Sequence, residues 1–195
     1  MNDAVAAAIA ALRRGEVVAY PTETFYGLGV DAFSAAALER VRVLKGRGDK
    51  AISMLIEGDE MLARLVAEVP PRARALMAQH WPGPLTLALP ARQGLPDVLV
   101  SDGCVAVRQS PHSVARALVA AFGGPVTTTS ANRSGEPPAT TAAMVRAALG
   151  DGCHVLDGGA TPGGAPSTLA RVRGEQIEIL RAGAVDLRGY FGSTP

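Results

Sequence analysis

The chain has 195 residues, 48% of them hydrophobic, and a formal net charge of +1. That length and apolar content suit one domain, residues 1–195, with a buried core. The near-neutral balance and 4% aromatic content argue against nucleic-acid binding through bulk charge or base-stacking platforms, while leaving room for a local basic concavity.

Alanine-rich residues 3–14 predict a first helix, with Gly15 as its stop. It lacks the basic start and apolar centre of a secretory signal, and no apolar run approaches the roughly 18 residues of a membrane span, so a cytoplasmic location is expected. Residues 16–22 read as a strand with Pro21 at its end, because proline cannot donate to a central ladder. Ser34 is placed to cap a helix over 35–45. A strand follows at 51–57, then a helix that Asp59 caps, running to about Glu68, and another from Pro70-Pro71 to about His80. Strands are expected at 85–89 and 104–108. Ser110 as cap and Pro111 in the first turn predict a helix over 111–122. Residues 125–129 form a strand, 141–149 a helix opened by Thr140 or Thr141, and 153–157 a strand. Residues 158–166 form a glycine-rich loop, and 167–173 with 175–181 a hairpin around Gly174. The alternation predicts an α/β fold with a mixed, twisted sheet and helices on both faces.

Only two lysines occur, Lys45 and Lys50, and with Arg47 they crowd the stretch Leu44-Lys45-Gly46-Arg47-Gly48-Asp49-Lys50. Such a glycine-broken group of cations suits a polyphosphate, although a cation at the end of a helix that Gly46 stops also complements the dipole. Four polar segments punctuate strand ends: Thr22-Glu23-Thr24, Arg108, Thr127 to Gly135, and Ser167-Thr168. Ligands of open α/β sheets sit in crevices at strand ends, where hydroxyls and backbone N–H groups hold them. Serine and threonine also satisfy turns, so it is the convergence of four segments that points to a site.

Several chemistries lack their residues. There is no Gly-x-x-x-x-Gly-Lys-Ser/Thr loop, and Gly27-x-Gly29 has no third glycine. His80, His112 and His154 match no metal spacing, and Cys104 and Cys153 give no disulfide framework. Ser130 has no Gly-x-Ser-x-Gly elbow. Covalent catalysis and a resident metal are disfavoured.

The segments YPTETFYGLG, LKGRGDK, HWPGPLTLALP, VAVR, SANRSG, LDGG, PSTLARV and ILRAGAV resemble, in order and spacing, those of the YrdC/TsaC family of threonylcarbamoyl-AMP synthases. The resemblance spans about residues 10–185 and implies a YrdC-like twisted mixed sheet with a basic concave surface. It implies synthesis of L-threonylcarbamoyladenylate from L-threonine, bicarbonate or CO2, and ATP, with release of pyrophosphate, for t6A37 modification of tRNA. The implied partners are those substrates, with transient contact with other t6A-synthesis proteins, weak RNA binding and no membrane. No permanently bound cofactor is implied; Mg²⁺ is expected to arrive with ATP.

Roles follow residue by residue from the same resemblance. Lys45, Arg47 and Lys50 stand where catalytic, phosphate-contacting cations are expected. Thr24, Arg108, Thr128 and Ser167 correspond to L-threonine contacts, with Arg108 as a bidentate clamp on the carboxylate. Arg47, Lys50, Cys104, Ser130, Asn132 and Arg181 correspond to ATP contacts. The sequence departs from the pattern at Gly48, where proline is common, at Cys104, where threonine is common, and at Pro138, where some relatives carry serine. Longer relatives carry an extra C-terminal domain, which the resemblance over about residues 10–185 leads us not to expect here. Two other readings are weighed: a YciO-like paralogue with another substrate, and a module binding double-stranded or ribosomal RNA.

Overall fold

The computed structural model describes residues 3–46 and 51–190. In chain order these hold α1 (Asp3–Arg13), β1 (Val18–Pro21), β2 (Tyr26–Gly29), α2 (Ala35–Lys45), β3 (Met54–Leu55), α3 (Asp59–Leu65), α4 (Pro71–His80), β4 (Leu85–Pro90), β5 (Val100–Ser101), β6 (Cys104–Arg108), α5 (Ser113–Phe122), β7 (Val126–Thr127), β8 (Thr129–Ser130), α6 (Ala142–Leu149), β9 (His154–Val155), β10 (Thr168–Arg173) and β11 (Gln176–Arg181). The fold is α/β and its strands run in mixed directions, but they divide into two sheets. One has the order β8-β2-β1-β9; the other runs β11-β10-β4-β6-β3-β7, with β5 also on β6.

Helices cover both faces, and the period of two along β1 shows how. Val18 and Tyr20 pack with Val5, Leu12 and Leu118 from α1 and α5. Val17 and Ala19 join a larger cluster with residues of α2, α3, α4 and α6, including Leu38, Leu65, Leu76 and Val145. β1 is therefore buried on both sides, which explains a run with no polar residue. Pro21 ends it, pairing with Tyr26 across the hairpin.

β2, the Tyr-Gly-Leu-Gly segment, was not expected as a strand because two glycines in four residues weaken strand propensity. Its glycines serve close packing. A Cβ on Gly29 would lie 2.6 Å from both Tyr20 Cε1 and Val126 Cγ1. Tyr20, fully buried, fills that space and donates its hydroxyl to Thr127 O at 2.7 Å.

Local signals were correct at several helix ends. Ser34 accepts from Ala37 N and Thr141 from Met144 N, while Gly46 closes α2 in the left-handed conformation at φ 56°. Ser110 does not cap α5: the helix starts at Ser113, and the Ser110 hydroxyl serves a carboxylate instead. α3 begins at Asp59 after Gly58, so Asp59 is its first residue rather than its cap. The strand expected over 51–57 shortens to Met54–Leu55, and that over 125–129 is broken at Thr128.

Candidate functional site

That break makes the site. β7 pairs with β3 in the seven-stranded sheet, whereas β8 pairs with β2 in the four-stranded one. Thr128 is the single residue between them, where the chain passes from one sheet to the other. Its N–H donates to Ser53 O at 2.7 Å, leaving its side chain to face a recess at the junction.

The recess is lined by Thr24 from the β1–β2 turn, Arg108 from the end of β6, Thr128, Ser130 at the end of β8, Ser167 just before β10, and Arg181 at the end of β11. Six of the residues expected at the site, drawn from positions 24 to 181, thus converge. Pro138, noted above as a departure, also lines it, as do Ser53 and Thr86, which sequence reasoning did not single out. Thr86 Oγ1 lies 2.8 Å from Ser167 Oγ in a buried hydroxyl pair.

Each wall is held by local bonding. Thr22 Oγ1 donates to Phe25 O at 2.7 Å and accepts from Thr24 N at 3.3 Å, shaping the turn that presents Thr24. Arg181 Nη2 donates to Ser167 O at 2.8 Å and to Ser167 Oγ at 3.0 Å, so the end of the hairpin closes over the start of β10. Gly183 makes that closure achievable: a Cβ there would fall 2.3 Å from Pro166 O and 2.5 Å from Thr168 N. Gly183 was missed because its neighbour across the fold is distant in sequence.

Arg108, 5% exposed, does not face the recess alone. Nη1 is ion-paired with Glu23 Oε1, and Nη2 donates to Thr128 Oγ1 at 3.2 Å. Ser110 Oγ donates to the other carboxylate oxygen of Glu23 and accepts from His112 N at 3.2 Å. Glu23 is the acidic centre of Thr-Glu-Thr, a visible signal whose partner only the fold supplies. Tyr20 is packed within reach of this pair; burial pushes its phenol up to about 12, so it stays neutral there.

Three other expected residues, Lys45, Asn132 and Cys104, are not on the lining of the recess. Lys45 is 3% exposed. Its ammonium donates to Asn132 O at 2.8 Å, to Asn132 Oδ1 at 3.1 Å and to Ser130 O, and so braces the loop after β8. Asn132 lies inside the same brace: Oδ1 also accepts from Ser130 Oγ at 2.6 Å, and Nδ2 donates to Glu136 O. It positions Ser130 and does not line the recess. Cys104 sits at the far end of β6 from Arg108, paired with Pro90, about 13 Å away at the rise of a strand. Arg47 and Lys50 lie outside the described residues. The recess cations among the described residues are Arg108 and Arg181.

Burial pushes the Cys153 thiol up to about 11, which leaves it protonated and a poor nucleophile. Among the described residues no three His, Cys, Asp or Glu side chains group as metal ligands, and no helix is long and apolar enough to cross a membrane.

A recess between two mixed sheets, rimmed by hydroxyls and two guanidinium groups, defines an α/β protein built to bind a small polar, anionic ligand. The chain belongs to the Sua5/YciO/YrdC family, whose model, described as "Telomere recombination", matches residues 10–183. It is 45% identical over 169 residues to the threonylcarbamoyl-AMP synthase of Chromohalobacter salexigens, covering 86% of this chain and 91% of that one. It superposes with a TM-score of 0.91 on Pyrococcus abyssi Sua5 complexed with L-threonine, at 34% identity, covering 96% of this chain and 57% of that longer one. Escherichia coli YciO shares the fold, with a TM-score of 0.84 at 23% identity, over 95% of this chain and 92% of that one.

Proposed function

We propose that the chain is a threonylcarbamoyl-AMP synthase, an enzyme that makes L-threonylcarbamoyladenylate from L-threonine, bicarbonate or CO2, and ATP. The observation that carries this reading is the convergence of Thr24, Arg108, Thr128, Ser130, Ser167 and Arg181 on one recess. It is supported by relatives that bear the synthase name and by the likeness to a Sua5 that holds L-threonine.

The chemistry proceeds in two steps. The neutral threonine amine attacks CO2, forming a C–N bond and losing a proton to give the carbamate. A carbamate oxygen then attacks the α-phosphorus of ATP, and the bond from that phosphorus to the bridging oxygen breaks, releasing pyrophosphate. The second step is a nucleotidyl transfer. Nucleophile and electrophile are both anionic, so cations must screen them, and positioning with electrostatic stabilisation suffices without a protein nucleophile.

In this reading Arg108 takes the threonine carboxylate, with Thr24, Thr128 and Ser167 around the amino acid. Ser130 and Arg181 lie on the nucleotide side, and Arg47 and Lys50 meet the ATP phosphates. Mg²⁺ enters as the counterion of ATP. The product serves t6A modification of tRNA in the cytoplasm, with transient contacts to the proteins that use it.

The test is to incubate the protein with ATP, bicarbonate and each amino acid in turn, following pyrophosphate and the adenylate by mass spectrometry. Threonine-dependent release is expected. Release indifferent to threonine would refute the assignment, and a different preferred amino acid would change the substrate.

A further inference from the structure

The bonding around Arg108 contains a carboxylate that the proposed reaction does not use. Glu23 holds Nη1 with one oxygen and Ser110 with the other, while Thr128 takes a bond from Nη2. Glu23 is not on the lining of the recess, whereas Arg108 is. The side chains of Arg108 and Glu23 are only 6% and 13% exposed, so the pair is held inside the protein. An arginine side chain carries about 2 kcal/mol of rotamer freedom, and its planar fork recognises a carboxylate only in the correct plane.

We infer that Glu23 is a positioning residue for substrate recognition: it fixes the plane of Arg108 from behind so that the guanidinium meets the threonine carboxylate in the recess. The inference rests on the synthase reading above. The anchoring is two-sided. Glu23 and Thr128 each engage one of the two terminal nitrogens, and a guanidinium has five N–H donors, so others remain for a ligand. Ser110 in turn orients Glu23, which gives the hydroxyl a reason to sit outside the α5 cap.

Orientation and charge make opposite demands, which allows a decisive test. If Glu23 merely competed for Arg108, removing its charge would strengthen binding of a second carboxylate. If it orients Arg108, removing the acceptor weakens binding, and a neutral acceptor of the same shape restores it. Kinetics with threonine and ATP varied separately, for the wild type, Glu23→Ala and Glu23→Gln, separate these outcomes. Glu23→Ala is expected to raise the threonine KM about 10-fold or more, as loss of a hydrogen bond to a charged group implies, with the ATP KM within about 2-fold. Glu23→Gln is expected to recover most of that loss.

A fall in threonine KM in both variants would overturn the inference in favour of simple competition. Equal changes in both KM values, in step with a lowered melting temperature and unrelieved by glutamine, would show a general structural role and also overturn it. An unchanged threonine KM in Glu23→Ala would do the same. A wild type with no threonine-dependent turnover would instead strike the synthase reading itself. Intrinsic-fluorescence or calorimetric titration with L-arginine-free solutions of threonine, acetate and propionate then tests the anchoring directly: carboxylate binding by the wild type that is lost in Glu23→Ala and kept in Glu23→Gln supports it, and binding that is equal in all three refutes it.

Discussion

Lys45 Nζ donates to Asn132 O at 2.8 Å and to Asn132 Oδ1 at 3.1 Å, tying the last residue of α2 to the loop that follows β8. The same ammonium also donates to Ser130 O, so it meets three oxygens of that loop. Replacing Lys45 by Met is expected to destabilise the fold by about 2–4 kcal/mol, since the acceptors lose their donor within the protein. Urea denaturation measures this. A stability within about 0.5 kcal/mol of wild type would return Lys45 to the surface class of residues.

Arg108 and Glu23 form one unit, so their substitutions are expected not to add. Arg108→Ala leaves the Glu23 carboxylate buried without its cation, and breaking a buried pair from one side costs about 3–5 kcal/mol. Removing both side chains is expected to cost less than the two single losses together, with a coupling of about 0.5–3 kcal/mol from a double-mutant cycle in urea. Additive effects would show that the two groups act independently. On activity, Arg108→Ala is expected to weaken threonine use by about 2–4 kcal/mol while sparing ATP, with Arg108→Lys a partial rescue because an ammonium lacks the fork.

Gly183→Ala is expected to damage the site from outside it. The added methyl carbon would stand 2.3 Å from Pro166 O and 2.6 Å from Ser167 C, both backbone atoms that cannot rotate aside. Overpacking of this kind costs about 1–3 kcal/mol, and here the segment displaced carries Ser167. A lowered melting temperature together with an altered threonine KM is the expected pair of results. Normal values of both would mean that the 182–185 segment can lift away from β10 freely.

His112 gives a pH dependence with a definite sign. Burial holds its imidazole below the ordinary 6.5, against the opposing pull of Glu23, and its Nδ1 is buried without a hydrogen-bond partner. The unfolded chain therefore takes up a proton as pH falls through 6.5 while the folded one resists, so this contribution to stability is complete above 6.5 and lost below it. Relative to a non-titrating His112→Gln variant, the wild type is expected to lose urea resistance between about pH 7.5 and 5. Parallel curves over that range would refute it.

How much of this was legible beforehand depended on the range over which each signal acts. Ser34, Gly46 and Thr141 marked helix ends correctly because capping is settled within a few residues. The hairpin around Gly174 was legible for the same reason, its φ of 56° being one that glycine adopts freely. The β2 strand was hidden because its glycines answer to Tyr20 and Val126, partners brought in by pairing rather than by proximity along the chain.

The sequence by itself determined which residue types stand at strand ends, and these include Thr24, Arg108, Thr128, Ser130, Ser167 and Arg181 at the recess. Composition and local propensity act on each segment separately, so they name candidates without saying what faces them. Only the tertiary structure decided that Lys45 and Asn132 brace a loop, that Cys104 lies at the opposite end of β6 from Arg108, and that Glu23 pairs with Arg108. Burial and pairing are properties of contacts between distant segments: a lysine costs nothing in solvent, but once enclosed it must find acceptors, and the fold alone fixes which acceptors are there.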